Sequence, residues 1–404
     1  MASAGTTIML CAGHRLGGQA CPAELVAALR QEIRGELDRH QAGIGYTSGT
    51  AGPELLFAEE LLARSGELNL FLPCPVEDFV GQYVAPAGAE WEARFEAVRG
   101  AAARVEVSCD ERLPGDETLL RFNNQMLQGM ARVHAGRIGG HARLLAVWSP
   151  AAPAEPGSPA DFMDQWPELE HLSLIDLDDL DEHFNPQPGI RNADIAADLN
   201  ALAMGTSTLV VRAIFFADMA TYSSIRDDEI PFLWDFLAEV QQTVEQRATA
   251  PILINTWGDA VHAAAETALD LAGYAATLME TIRVTEPNVF GLANRPRFRV
   301  ALHAGPVYVG LHPLTGRSMI YGHHVNRAAR IEAVGSAGEV YASQHFVALL
   351  QAEMDALQHE ARLLGEPYRP PYRSDYVGLL DLPKKFGREA VYRILPVADP
   401  AASA

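Results

Sequence analysis

Two aspartates stand where an apolar chain does not leave a charge unpartnered. Asp218 follows the run Thr208 to Phe216 (TLVVRAIFF), whose β-branched and aromatic residues predict a central strand. Asp259 lies 41 residues later (259 − 218), in the turn Trp257-Gly258-Asp259 between the apolar runs Ile252 to Thr256 and Ala260 to Ala264. A carboxylate at the end of an apolar strand is costly to bury unless it is paired or metal-bound. Two such groups suit a hard divalent cation, Mg²⁺ or Mn²⁺, and through it a polyphosphate. Spacing alone favours the plainer alternative, two turn-capping aspartates.

A second group of residues lies in the stretch Phe298 to Glu332, FRVALHAGPVYVGLHPLTGRSMIYGHHVNRAARIE. Val300, Leu302 and Ala304 alternate with Arg299, Ala301 and His303 as in a strand. Gly305 is expected to bend the chain before a second apolar run, Val307 to Leu311, and a polar loop follows. From Val325 the pattern turns helical, with Asn326 and Arg330 four apart on one face, an amide and a guanidinium suited to a nucleotide. Adjacent histidines cannot easily face one ion, so His323 and His324 are expected to be loop or dimer-interface residues rather than ligands.

The elements that must position these residues come in two blocks. A chain of 404 residues, 48% hydrophobic and 21% charged, is globular in composition and long enough for two domains, each with its own core. The first block alternates strand and helix signals as an open parallel sheet does. Strands are expected at Thr6 to Cys11, Gly43 to Ser48, Leu68 to Leu72, Val105 to Ser108 and, last, Leu144 to Trp148. Helices are expected at Ala23 to Leu37, from Pro53-Glu54, around Trp91, and at Glu117 to Val133. Small residues just past strand ends, in CAGHRLGG and TSGTAGPE, would let a phosphate or ribose approach backbone N–H groups.

Ala151 to Ala160 (AAPAEPGSPA) reads as a linker. The run Asp176, Asp178, Asp179, Asp181, Glu182 lacks the glycine and the closing glutamate of a calcium loop and reads as a solvated connector. Ile195 to Met204 is expected to be a short helix. The domains are therefore drawn at 1–165, an acidic connector at 166–207, and 208–397. In the last, a helix through Ile230, Leu233, Leu237, Val240 and Val244, another at Thr267 to Ile282, a strand at Val340 to Ser343 and a closing hairpin in DYVGLLDLPKKFGREAVYRI complete the pattern.

Charge and composition exclude several classes. A net charge of −21 repels nucleic acid and anionic lipid, so an anionic substrate needs local arginines or a bound cation. No run of 18 uncharged apolar residues and no basic, apolar leader occur, so no membrane partner and a cytoplasmic location are expected. Cys11, Cys21, Cys74 and Cys109 show no CxxC spacing and are expected to be small buried hydrophobes.

In order along the chain, FFADMATYSSI, NTWGDAV, RVALHAGPVYVG, YGHHVNRAARIE and GEVYAS resemble the catalytic domain of class III nucleotidyl cyclases. The resemblance covers about residues 208 to 395. It implies a ferredoxin-like βαββαβ core and a head-to-tail homodimer with active sites in the interface. By the same resemblance, Asp218 and Asp259 are metal ligands for two divalent cations, with the backbone at Met219 nearby. Asn326 orients the ribose and Arg330 stabilises phosphate charge in the transition state, both serving the partner subunit. The first block, with GH, GTAGPE and LPCPVEDFV after successive strands, resembles the Rossmann-like SLOG superfamily of nucleotide-derivative sensors, which implies a small-molecule ligand there. The expected fold class is thus α/β: a Rossmann-like open parallel sheet followed by a ferredoxin-like (α+β) cyclase domain.

The base-selecting positions depart from the family. Adenylate cyclases of this type usually carry lysine and aspartate where this chain has Asn255 and Met319; guanylate cyclases carry glutamate and commonly cysteine. Tyr222, four residues after Asp218, replaces a frequent phenylalanine and could narrow a base pocket, or sit as a core aromatic with its hydroxyl at the surface. With neither purine code present, the expectation leans to a nucleoside triphosphate cyclase for a pyrimidine, similar to the uridylate and cytidylate cyclases of antiphage Pycsar systems. An adenylate cyclase with unusual base contacts is the alternative, and a catalytically inactive ligand-sensing regulator is the alternative from another class.

Overall fold

The structure is a computed structural model that describes residues 6–16, 22–112, 116–152, 155–181, 208–220, 222 and 225–397. The chain divides into two compact units, Met1–Gly205 and Thr206–Ala404. The helix expected at Ile195 to Met204, and Cys21, lie outside the described residues.

In the first unit β1 (Thr7–Gly13), β2 (Ile44–Thr47), β3 (Glu67–Leu72), β4 (Arg104–Val107), β5 (His141–Trp148) and β6 (Leu172–Asp176) form one sheet in the order β4-β3-β2-β1-β5-β6. Every pairing is parallel. Helices α1 (Ala23–Arg39), α2 (Pro53–Ala63), α3 (Val76–Tyr83), α4 (Ala89–Ala101) and α5 (Glu117–Ile138) supply the crossovers. A sheet covered on both faces needs apolar residues on both, and all seven residues of β1 are buried. The strand order reverses direction at β1 and β5, as in a doubly wound fold.

Two expectations for this unit change. β5 is not the last strand: Leu172–Asp176 pairs with it, and the short α7 (Leu177–Leu180) buries Leu177 completely. Part of the acidic run is therefore sheet and core. Asp176 caps α7 by accepting from the Asp178 N–H at 2.9 Å, and Asp178 accepts from Ser149 Oγ at 2.7 Å. The expected linker likewise ends in structure, with Ser158 capping α6 (Pro159–Asp164) and Phe162 buried. At TSGTAGPE, the Glu54 carboxylate already accepts from the Thr50 N–H at 2.9 Å, so this chain supplies its own anion there. Gly52 holds φ +126°, and a Cβ on it would lie 2.8 Å from the Leu16 nitrogen, so two turns meet only because it is glycine. Cys11, Cys74 and Cys109 are free and buried.

The second unit is built on β7 (Thr208–Met219), α8 (Ile230–Arg247), β8 (Leu253–Trp257), β9 (Ala260–Ala265), α9 (Ala268–Val284) and β10 (Phe298–Leu311). These run in the order β10-β7-β9-β8, every pair antiparallel, which is the ferredoxin-like βαββαβ arrangement. β12 (Val340–Ser343) joins β10 in parallel, and the hairpin of β13 (Tyr372–Asp381) and β14 (Arg388–Pro396) closes that edge. β11 (Ser318–Tyr321) folds back on the end of β10, and α10 (His323–Glu332) follows it. A long helix absent from the expected pattern, α11 (Gln344–Leu364), follows β12.

Gly305 does not bend the chain. β10 runs straight through it as a 14-residue strand. Its glycine is required by packing: a Cβ there would lie 2.2 Å from His324 Nδ1. His324 correspondingly leaves the loop expected of it and is buried at 2% exposure, while His323, half-buried, stacks on Phe386 at 5.1 Å. The helix starts two residues earlier than its apolar pattern, and that turns His324 inward. No helix among the described residues is long and apolar enough to cross a membrane.

Candidate active site

Adjacent strands bring the two aspartates together. β7 pairs with β9 so that Asp218 is opposite Ala260, and Asp259 is the next residue, in the turn whose Gly258 holds φ +66°. Both aspartates are half-buried, and Met219, whose side chain is buried, ends β7 beside them. A carboxylate at a strand end beside a positive-φ turn is partly desolvated yet open on one side, as a cation ligand must be.

Two residues that sequence reasoning passed over complete this site. Arg299 on β10 lies opposite Asp218 in register, and its Nη2 donates to Asp218 Oδ2 at 2.6 Å. Its Nε donates to Glu332 Oε1, the last residue of α10, at 2.5 Å. Burial pushes the Glu332 carboxyl above its ordinary range; the Arg299 hydrogen bond opposes this, and the charges of Asp218 and Asp259 add to the rise. Glu332 then Asp218 together hold the Arg299 guanidinium more firmly protonated. Two carboxylates thus share one arginine with Asp259 close enough to act on Glu332, and the excess negative charge fits divalent cations. Strand alternation alone could have pointed to Arg299, which is the only charged residue in RVALHAGPV other than histidine.

The base-pocket candidates divide. Asn255 on β8 donates from Nδ2 to the Ser318 carbonyl at 3.1 Å, so it touches the residue before Met319. Met319, the next residue, is half-buried on β11. Tyr222 is 39% exposed. Asn326 and Arg330 lie on α10, the first exposed and the second half-buried with its carbon Cζ 5.5 Å from the Phe386 ring centre. Among the described residues, no hydrogen bond or ion pair joins either of them to Asp218 or Asp259.

Residues 211–366 match the family model described as the adenylate and guanylate cyclase catalytic domain. No curated protein matches the chain. Among solved structures, the guanylate cyclase domain of RhGC from Catenaria anguillulae in complex with GTP is 17% identical, with 48% of this chain and 100% of that one covered and a TM-score of 0.36. The adenylyl cyclase CyaB from P. aeruginosa is 15% identical, with 48% and 97% covered and a TM-score of 0.36. The guanylyl cyclase Cya2 is 18% identical over 48% and 97%, again at 0.36. With the family match spanning the ferredoxin-like core and both aspartates, the second unit is an adenylate/guanylate cyclase catalytic domain and the protein is a nucleotidyl cyclase.

Proposed function

We propose that the enzyme converts a pyrimidine nucleoside triphosphate to its 3′,5′-cyclic monophosphate and pyrophosphate, as a homodimer whose sites combine residues of both subunits. The observation that carries the base preference is the pair Asn255 and Met319. Asn255 spends its amide N–H on Ser318, which leaves Oδ1 to accept from a base N–H, the N4 amine of cytosine or N3–H of uracil. Met319, the residue after Ser318, offers shape without a charge. Tyr222, four residues after Asp218 and 39% exposed, is the third residue of this reading, its hydroxyl narrowing the room for a larger purine. The adenine N6 amine could meet the same Asn255 acceptor, so an adenylate cyclase is the second reading.

Asp218 and Asp259, with the backbone at Met219, are the residues that hold two divalent cations, Mg²⁺ or Mn²⁺. The cations supply Lewis acidity that favours ionisation of the ribose 3′-hydroxyl and neutralises the triphosphate. Asn326 holds the ribose so that its 3′-oxygen is aimed at the α-phosphorus, and Arg330 offsets the charge that grows on the phosphates as pyrophosphate leaves. Both act on the nucleotide of the partner subunit. Support for a dimer comes from exposed apolar side chains along β8 and the β10–β11 hairpin, Ile252 at 54%, Ile254 at 41%, Leu311 at 61%, Leu314 at 89% and Tyr321 at 43%.

The inactive-regulator alternative loses ground because Asp218, Asp259, Asn326 and Arg330 are all present in one chain. The resemblance to Pycsar cyclases supports an antiphage role, with the first unit as the sensor of a small molecule. Binding there is expected to raise the protein's melting temperature when the small-molecule fraction of infected cells is added; no shift counts against a sensor. For the activity itself, incubation with Mn²⁺ and each of the four ribonucleoside triphosphates is expected to give cyclic CMP or cyclic UMP as the dominant product, and the same product in phage-infected cells. Dominant cyclic AMP would sink the pyrimidine assignment.

A further inference from the structure

Away from the carboxylates, the second unit buries three imidazoles in one place. His303 on β10 is 0% exposed, His324 on α10 2% and His345 on α11 1%. His303 Nδ1 is 2.7 Å from Ser343 Oγ, and its Nε2 is 2.9 Å from His324 Nδ1. The His303 and His324 rings stack with centres 5.1 Å apart, and His345 stands edge-on to His303 at the same distance. Ser343 also accepts from the Phe346 N–H at 3.1 Å, capping α11. The chain Ser343–His303–His324 therefore runs from the start of α11, across β10, into the first turn of α10.

Val325 seats that first turn in an apolar cluster and His323 stacks on Phe386, but neither contact is directional in the way a hydrogen bond is. The N-cap of α10 is Gly322, which has no side chain to cap with, and its first turn carries no acidic residue. One turn on, Arg327 makes a second buried link, Nη1 to Glu389 Oε2 on β14 at 2.7 Å. Gly305 opens a seat on β10 that the His324 ring fills. A buried hydrogen bond between two imidazoles fixes ring orientation, because each ring has two nitrogens in one plane and any rotation breaks the contact.

We propose that His324 and His303 are positioning residues for catalysis: by locking the rotation and height of α10 they set where Asn326, two residues past His324, and Arg330 present to the nucleotide. The inference rests on the proposed roles of Asn326 and Arg330. Groups facing the pair are His323 and Arg327 on α10, His345 on α11 and Glu389 on β14. Burial, then the neighbouring His324, His345, Arg327 and His323, hold His303 well below its usual pKa. A neutral His303 carries one N–H and one lone pair, so it donates to one of Ser343 and His324 and accepts from the other.

A double-variant cycle on kcat, with the best of the four nucleotides, tests this. His324→Ala is expected to lower kcat by about ten- to hundredfold. His324→Asn, which keeps a polar atom near the Nδ1 position, is expected to recover much of the loss. In an Asn326→Ala/Arg330→Ala background, the further cost of His324→Ala is expected to fall below about twofold, because misplacing side chains that are absent costs little. Losses that multiply independently, or a normal kcat in His324→Ala beside a crippled Arg330→Ala, overturn the positioning role. Full activity in Arg330→Ala overturns the parent assignment and this inference with it. Should His324→Ala not fold, His324→Asn and His303→Gln run through the same cycle with the same criteria.

Discussion

At the scale of single residues, Asp259 separates a metal ligand from a turn cap most cleanly. It sits in a half-exposed turn, where substitution costs little stability, within about 0.5 kcal/mol. As a metal ligand its loss removes a charge from the reacting centre, worth about 10²-fold or more in kcat. Asp259→Ala is thus expected to leave the melting temperature nearly unchanged while turnover disappears; full turnover with Mn²⁺ would return Asp259 to a structural role. Asp218 is less clean, because its removal also takes away one of the two carboxylates that hold Arg299, which it binds at 2.6 Å. The two aspartates were legible in sequence because a charge at the end of an apolar strand is conspicuous. Arg299 showed only as a lone charge in an apolar strand, and its meeting with Asp218 and Glu332 depends on the register of β7 with β10 and on where α10 ends.

At the scale of elements, α10 is the part whose stability and chemistry are coupled. Its Arg327 pairs with Glu389, whose side chain is 1% exposed. Burial pushes the Glu389 carboxyl up, but His345 and Arg327 outweigh it and hold the group below its ordinary pKa. A carboxylate depressed in the folded state contributes stability that is present above its unfolded pKa, about 4.3, and lost as pH falls through the folded value. Glu389→Gln, which leaves Arg327 buried without its partner, is expected to cost about 3 to 5 kcal/mol at pH 7. Melting temperatures measured from pH 7 down to pH 3 should converge for the two proteins; a gap that stays constant with pH would show that the pair is not what stabilises α10. Helix and strand identity here was readable from periodicity, but the straight run of β10 through Gly305 was not, since glycine marks both turns and close packing and only the neighbour decides.

At the scale of the whole molecule, the proposed site, shared between two subunits, predicts complementation. Asp259→Ala and Arg330→Ala damage opposite halves of a composite site. Each homodimer is then inactive, whereas a mixed dimer carries one site with both halves intact. If the subunits exchange freely, half of the dimers are mixed and each has one of two sites working, so an equimolar mixture should recover about a quarter of wild-type activity. Assaying the two variants separately and after mixing checks this; no recovery under conditions of demonstrated exchange would mean that each chain builds its site alone. The acidic run after residue 166 carries a related lesson. Its charge suggested solvent, yet Leu172–Asp176 completes the first sheet, because an edge strand can expose one face while its Ile175, and Leu177 of the following α7, reach the core.

Sequence by itself determined the two-block organisation, the kinds of fold, and the residue types capable of cyclase chemistry. These follow from local pattern: periodicity of two or 3.6, turn residues, and charges set against apolar runs, each readable within a short window. Only the tertiary structure decided which of those residues meet. That Asp218 lies beside Asp259 and under Arg299, that Asn255 touches Ser318, and that three histidines from three elements share one buried site are consequences of strand register and helix seating. A single sequence does not encode them locally, because each contact joins residues tens of positions apart that are brought together only by the packing of the sheet.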